Sequence, residues 1–137
     1  MKILFITPVV PTESDGRRPY NFLKYLSTRH QVSLLCLRLP VQKSQDVERI
    51  AAMGVRVQSL PIHSFRSLFQ SMVGLFARWP IRASWCYSRC FRRLVQETLA
   101  RESFDIVHFD RMRMGQYADC VPGPKVLDFT DSLSLYL

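Results

Sequence analysis

Lys2-Ile3-Leu4-Phe5-Ile6-Thr7 is an apolar run that Pro8 breaks at once, and the chain then crosses Pro8 to Asp15 and Gly16 before a helical stretch at Tyr20 to Arg29. A strand, a glycine-bearing loop and a helix in that order open an α/β domain. Parallel sheets of this kind deliver ligands to the loops at the carboxyl ends of their strands. The residues just after each strand are therefore where function is sought.

Outward from this unit the pattern repeats. Gln31 to Leu39 (QVSLLCLRL) is nearly continuous in apolar residues, as expected for a strand covered on both faces. Ser44 to Met53 reads as a short helix, with Ser44 placed to cap it, Val47, Ile50 and Ala51 facing inward, and Gly54 ending it. Val55 to Ile62 makes a third strand and Phe104 to Phe109 (FDIVHF) a fourth. Lys125 to Thr130 (KVLDFT), after Pro122-Gly123-Pro124, makes a fifth. Strands alternating with helices imply right-handed crossovers. The expected fold class is α/β, a Rossmann-like parallel sheet of about five strands with helices on both faces. At 137 residues the chain has room for one domain, 1–137, and a chain of this length buries roughly two-thirds of its unfolded surface.

The composition, 47% hydrophobic and 22% charged, is that of an ordinary globular protein. A formal charge of +8 points to an anionic partner: phosphate groups, acidic headgroups or nucleic acid. No recognised nucleic-acid module is present, so no nucleic-acid partner is expected. The short apolar opening is followed by Pro11, Thr12, Glu13, Ser14 and Asp15 with no small-residue cleavage site, so the chain is expected to start at Met1. No stretch reaches the eighteen or so apolar residues of a membrane span. Cys36, Cys86, Cys90 and Cys120 are scattered and read as reduced cytosolic thiols. Cys86 and Cys90 sit four apart, but no nearby His or Cys completes a zinc set, and no metal is expected.

Between Ser64 and Gln96 the chain carries Arg66, Arg78, Arg82, Arg89, Arg92 and Arg93 without one acidic residue, interleaved with Phe65, Phe69, Phe76, Trp79, Trp85, Tyr87 and Phe91. Pro80 divides this segment into two expected helices. Two readings stand side by side. The aromatics pack on the sheet beneath a solvated arginine face, or Arg78, Trp79, Arg82, Trp85, Arg89, Arg92 and Arg93 form a surface for an anionic membrane or a lipid acceptor.

The first loop sets Gly16, Arg17 and Arg18 directly before a helix, where glycine admits a close ligand and the first-turn N–H groups favour a phosphate. It is neither a dinucleotide fingerprint nor a Walker loop. The fourth strand ends in His108-Phe109-Asp110-Arg111 and the fifth in Asp128-Phe129-Thr130-Asp131-Ser132. A His and three carboxylates on one rim can supply a base and bind hydroxyls. Alternation puts His108 and Asp110 on one side, Asp110 nearer the rim. Asp128, inside its strand, is open to a structural pairing with an arginine or with a helix N-terminus.

Lys2 to Pro8, the Gly16 loop, Tyr20-Asn21-Phe22-Leu23-Lys24-Tyr25-Leu26 with Arg29-His30-Gln31-Val32, and Phe104-Asp105-Ile106-Val107-His108 together resemble the N-terminal half of a GT-B glycosyltransferase of family 4. The closing Lys125 to Ser132 is similar to sugar transferases of exopolysaccharide and exosortase loci. The resemblance runs over nearly the whole chain through the order of its parts, with no single diagnostic motif. It implies transfer of a sugar from a nucleotide-sugar donor to a lipid-linked or glycan acceptor, with no metal or other cofactor and with retaining chemistry. It implies a cytoplasmic location, peripheral at the inner face of the plasma membrane. The N-terminal half mainly holds the acceptor, so Asp110 and His108 are the expected catalytic groups and Gly16, Arg17, Arg18, Arg111, Asp131 and Ser132 the expected substrate contacts. Many relatives carry a second His two residues after the one matching His108, where this chain has Asp110. The nucleotide-gripping half would begin after Leu137, so the 137 residues alone are expected to be inactive. Two other readings remain: a membrane-docking module, and a stand-alone domain that binds a phosphorylated small molecule.

Overall fold

The structure, a computed structural model, describes residues 1–62 and 86–129. The apolar run at the start forms β1 (Lys2–Thr7), and Gly16 stands before α1 (Arg17–Leu26). β2 (Gln31–Arg38), α2 (Ser44–Ala51) and β3 (Arg56–Pro61) follow. After the undescribed stretch come α3 (Arg89–Arg101), β4 (Ile106–Asp110), a 3-10 helix η1 (Met112–Cys120) and β5 (Lys125–Asp128).

All five strands run parallel in the order β3-β2-β1-β4-β5. β1 leads outward to β2 and β3, and the chain then returns past both to lay β4 on the other side of β1. The order reverses between β1 and β4, which makes the carboxyl ends of these two strands the topological switch point. Ile6 pairs with Phe109, so Thr7 and Asp110 follow side by side at that rim.

Helices cover both faces, as expected for the α/β class. On one face Leu23 of α1 and Ile50 of α2 close over Ile3, Phe5, Val32, Leu34 and Cys36. On the other, Phe91 and Val95 of α3 and Met114 and Tyr117 of η1 close over Leu4, Ile6, Leu35, Leu37, Val107 and Phe109. Alternation along the strands divides the two sets, and each large side chain removed from water contributes about 1.5–3 kcal/mol. Tyr117 knits the second face together, because its hydroxyl donates to the Cys86 carbonyl and accepts the Ser88 N–H at 2.8 Å.

Several local expectations are corrected. α1 begins at Arg17, three residues before Tyr20, because Gly16 takes a left-handed conformation (φ 78°) that starts the helix directly after the turn. Ser44 does not cap α2: Lys43 holds the cap position in extended backbone, with no side-chain cap, and Ser44 is the first helical residue. Ile50 is fully buried and Val47 packs beside it, but Ala51 is exposed, lying off the buried line of so short a helix. Gly54 ends the segment at φ 85°, in the left-handed region that a helix terminus uses. β4 starts two residues later and runs one further than read, so Asp110 is a strand residue.

Candidate functional site

Val107 and Phe109 point into the core beneath α3, so His108 and Asp110 point to the α1 side. In β5, Leu127 packs on the α3 side, which turns Val126 and Asp128 toward α1. Register pairs His108 with Val126 and Asp110 with Asp128. Two carboxylates therefore stand on adjacent strands, whose backbones are about 4.8 Å apart, on one face at the carboxyl rim. Asp110 is 4% exposed and the Asp128 side chain 11%.

Buried carboxylates need counter-charges. Arg18, from the first turn of α1, reaches across with Nη2 3.0 Å from Asp128 Oδ2. Arg111 Nε lies 3.7 Å from Asp110 Oδ2. Arg111 is held at φ 69°, ψ 149°, and it is the one non-glycine among the described residues with positive φ. Such backbone costs about 1–3 kcal/mol and gathers at functional sites. The expected arginine partner of Asp128 is thus Arg18, and Arg17 turns away, its Nε donating to the Glu13 carbonyl at 3.3 Å.

His108 lies below the carboxylates. Its ring stacks on Phe5 with centroids 4.3 Å apart, and Phe22 of α1 meets it edge-on at 6.4 Å. Nδ1 is buried without a hydrogen-bond partner. Burial holds the imidazole below its ordinary value. Arg18 adds to that lowering and Asp128 opposes it. A neutral imidazole at neutral pH follows, since even the unshifted group is mostly neutral there.

The loop from Pro8 to Gly16 is built to stay put. Thr7, fully buried, donates its hydroxyl to the Val9 carbonyl at 2.7 Å, and Thr12 and Asp15 bond to each other three times. Gln42, a residue that sequence reasoning passed over, accepts from Val10 N and Leu39 N and donates to the Val10 carbonyl at 2.8 Å. One amide thereby ties the β1–α1 loop to the β2–α2 loop. A polar residue inside a strand-following loop was the only signal available for it. A Cβ on Gly16 would lie 3.4 Å from Pro11 Cα and 3.5 Å from Pro19 Cγ, so the turn is both left-handed and closely packed. Pro19 also removes one of the N–H groups that the start of α1 would otherwise offer to a phosphate.

The expected membrane or acceptor surface is only partly in view. Arg89, Arg92 and Arg93 lie on α3, where Arg92 makes a two-pronged pair with Asp119 at 2.7 and 3.0 Å. Arg78, Trp79, Arg82 and Trp85, and also Asp131 and Ser132, lie outside the described residues. Among the described residues no group of His, Cys, Asp and Glu is placed to hold a metal ion, and no helix is long and apolar enough to cross a membrane. A separate depression of about 630 Å³ opens at the ends of β2 and β3, lined by Arg38, Gln42, Lys43, Ser44 and Pro61. Its lining contains neither a His nor a carboxylate.

Fold and site together define a parallel α/β domain with an arginine-balanced carboxylate pair at its switch point. No family model and no curated protein matches the sequence. Among solved structures, a predicted subunit of tRNA methyltransferase from Methanocaldococcus jannaschii is similar over 98% of this chain and 72% of its own, at 12% identity and a TM-score of 0.43.

Proposed function

We propose that this chain is the acceptor-side domain of a GT-B glycosyltransferase of the family 4 type. In this reading it holds a lipid-linked or polysaccharide acceptor, and a second domain presents the nucleotide-sugar donor. Besides the resemblance of the sequence, the observation that carries the reading is the adjacent pair Asp110 and Asp128 at the switch point. A sugar acceptor is neutral and rich in hydroxyls. Carboxylates accept hydrogen bonds from hydroxyls, and Arg18 and Arg111 set positive charge against the pair.

In the reaction the acceptor oxygen bonds to the anomeric carbon of the donor sugar, the sugar–phosphate bond breaks, and its electrons leave on the nucleoside diphosphate. The acceptor proton passes to Asp110, which stands nearer the rim than His108 on the same strand, with neutral His108 beneath it. Gly16 and the tied loop shape the wall of the acceptor cleft. The setting is cytoplasmic, peripheral at the inner face of the plasma membrane, where a lipid-linked acceptor is available.

Transfer from labelled nucleotide sugars, with the chain joined to a donor-side domain, tests the reading. Asp110→Asn is expected to slow transfer about 100-fold, the lower range for loss of a general base. Gly16→Val is expected to impair it through the loop. Absence of transfer from every nucleotide-sugar donor, or full activity in both variants, overturns the proposal. A module for phosphorylated ligands is less well supported, because Pro19 and the Asp128 contact of Arg18 weaken the anion site that such a module needs.

A further inference from the structure

The depression at the ends of β2 and β3 is separate from the carboxylate pair and is built from other side chains. Along β2, Leu37 packs on the α3 side and Cys36 on the α2 side, so alternation turns Arg38, the last residue of the strand, toward α2. Register sets Arg38 beside Pro61 at the end of β3. Lys43 and Ser44 close the depression from the start of α2, and Leu39 and Ile62 add apolar wall. Among the described residues neither the Arg38 nor the Lys43 side chain makes a hydrogen bond or an ion pair. Lys2, Arg18, Arg56, Arg92 and Arg111, by contrast, all face carboxylates. Asp46, on the first turn of α2, is not part of the lining. The loop between strand and helix is fixed, because the Gln42 side chain holds the Leu39 N–H and the Val10 backbone while the Gln42 N–H donates to the Leu39 carbonyl at 3.0 Å. The wall is therefore in place before a ligand arrives, which lowers the ordering cost of binding.

We infer that this depression binds the phosphate of a small phosphomonoester that also carries hydroxyl groups, the chemistry of a sugar phosphate. A guanidinium and an ammonium with no carboxylate in the lining suit a dianionic phosphate, the guanidinium through two parallel hydrogen bonds. The Ser44 hydroxyl and the Gln45 amide supply partners for the hydroxyls of the ligand. The volume of about 630 Å³ falls within the range of small-molecule sites. Its place at the carboxyl ends of two strands is where parallel sheets receive such ligands. The site lies apart from the start of α1, where Pro19 and the Arg18–Asp128 pair weaken an anion site. It stands whether or not the domain transfers sugars.

Isothermal titration calorimetry of the full chain at constant ionic strength, with glucose 1-phosphate, inorganic phosphate and glucose, is the test. Glucose 1-phosphate is expected to bind more tightly than inorganic phosphate, and glucose to give no heat of binding. Arg38→Gln and Lys43→Gln are each expected to weaken glucose 1-phosphate about tenfold, the loss for one hydrogen bond to a charged group. Arg56→Gln removes an equal charge at the opposite end of the sheet and is expected to leave binding unchanged. Circular dichroism melts matching the unaltered chain show that the fold is retained in these variants. The inference is overturned if neither phosphate compound binds, or if Arg56→Gln weakens binding as much as the other two variants do. It is overturned as well if Arg18→Gln abolishes binding while Arg38→Gln and Lys43→Gln do not, which would move the anion to the switch point. A single-stranded oligonucleotide that binds with dependence on Arg38, where glucose 1-phosphate does not, also overturns it. No nucleotide sugar and no donor-side domain enters the assay, so its outcome is independent of the transfer experiment.

Discussion

The two faces of the sheet are built from the same strands and differ in almost everything else. Beneath α3 and η1 the side chains are large, apolar and sealed, and the buried hydroxyl of Tyr117 has both its donor and its acceptor role filled. Beneath α1 and α2 the apolar cluster is smaller, and its continuation across β4 and β5 is polar or exposed: His108, Asp110, Val126 and Asp128. One face is complete as a core. The other gives up apolar packing at the switch point, where it holds two largely buried carboxylates against arginines. The sealed apolar core and the polar rim are thereby separated by strand alternation, a displacement of one residue along the chain.

The contrast is broken most severely at Tyr117. Tyr117→Ala is expected to destabilise the chain by about 3–5 kcal/mol, as for other large aromatic truncations, and urea denaturation measures it. Tyr117→Phe separates the hydrogen bonds from the ring, with an expected cost of about 1–3 kcal/mol for the Ser88 N–H left without its acceptor. On the opposite face the expected effects are smaller. Gly16→Val forces a branched residue into the left-handed region and against Pro11, for an expected loss of about 1–2 kcal/mol in the same titration.

Arg111→Gly sharpens the comparison, because its two effects are expected to have opposite signs. Relief of the positive φ is expected to add about 1 kcal/mol to stability, while the counter-charge beside Asp110 is lost and transfer falls. A variant less stable than the parent would show that the contacts of Arg111 outweigh its strain. The smallest effect concerns pH. Folding lowers the His108 pKa below its ordinary 6.5, so the unfolded chain binds this proton more readily than the folded one. The contribution is complete above about 6.5 and is lost as the pH falls below that toward the folded value. Denaturation midpoints are expected to drop on acidification, and His108→Phe, which keeps a ring against Phe5, is expected to flatten that part of the curve.

Much of this architecture was legible along the chain. The apolar runs at Lys2 to Thr7 and Gln31 to Arg38 can only be strands with both faces covered, and the glycines at positions 16 and 54 mark turns that other residues enter at a cost. The placement of His108 and Asp110 on one side followed from alternation alone. The cap of α2 was misplaced because a serine before a helical pattern does not reveal whether it stands before or inside the first turn. Gln42 was missed because its partners, Val10 and Leu39, belong to two different loops.

The sequence by itself determined the class of fold, the positions of the strands and the residues available at their ends, because these depend on local periodicity and on turn chemistry. Only the tertiary structure decided which of those residues meet. The strand order set β4 between β1 and β5, the register placed Asp110 beside Asp128, and the lie of α1 brought Arg18 to Asp128 and Phe22 to His108. Contacts between residues a hundred positions apart arise from the packing of whole elements, and no local pattern encodes them.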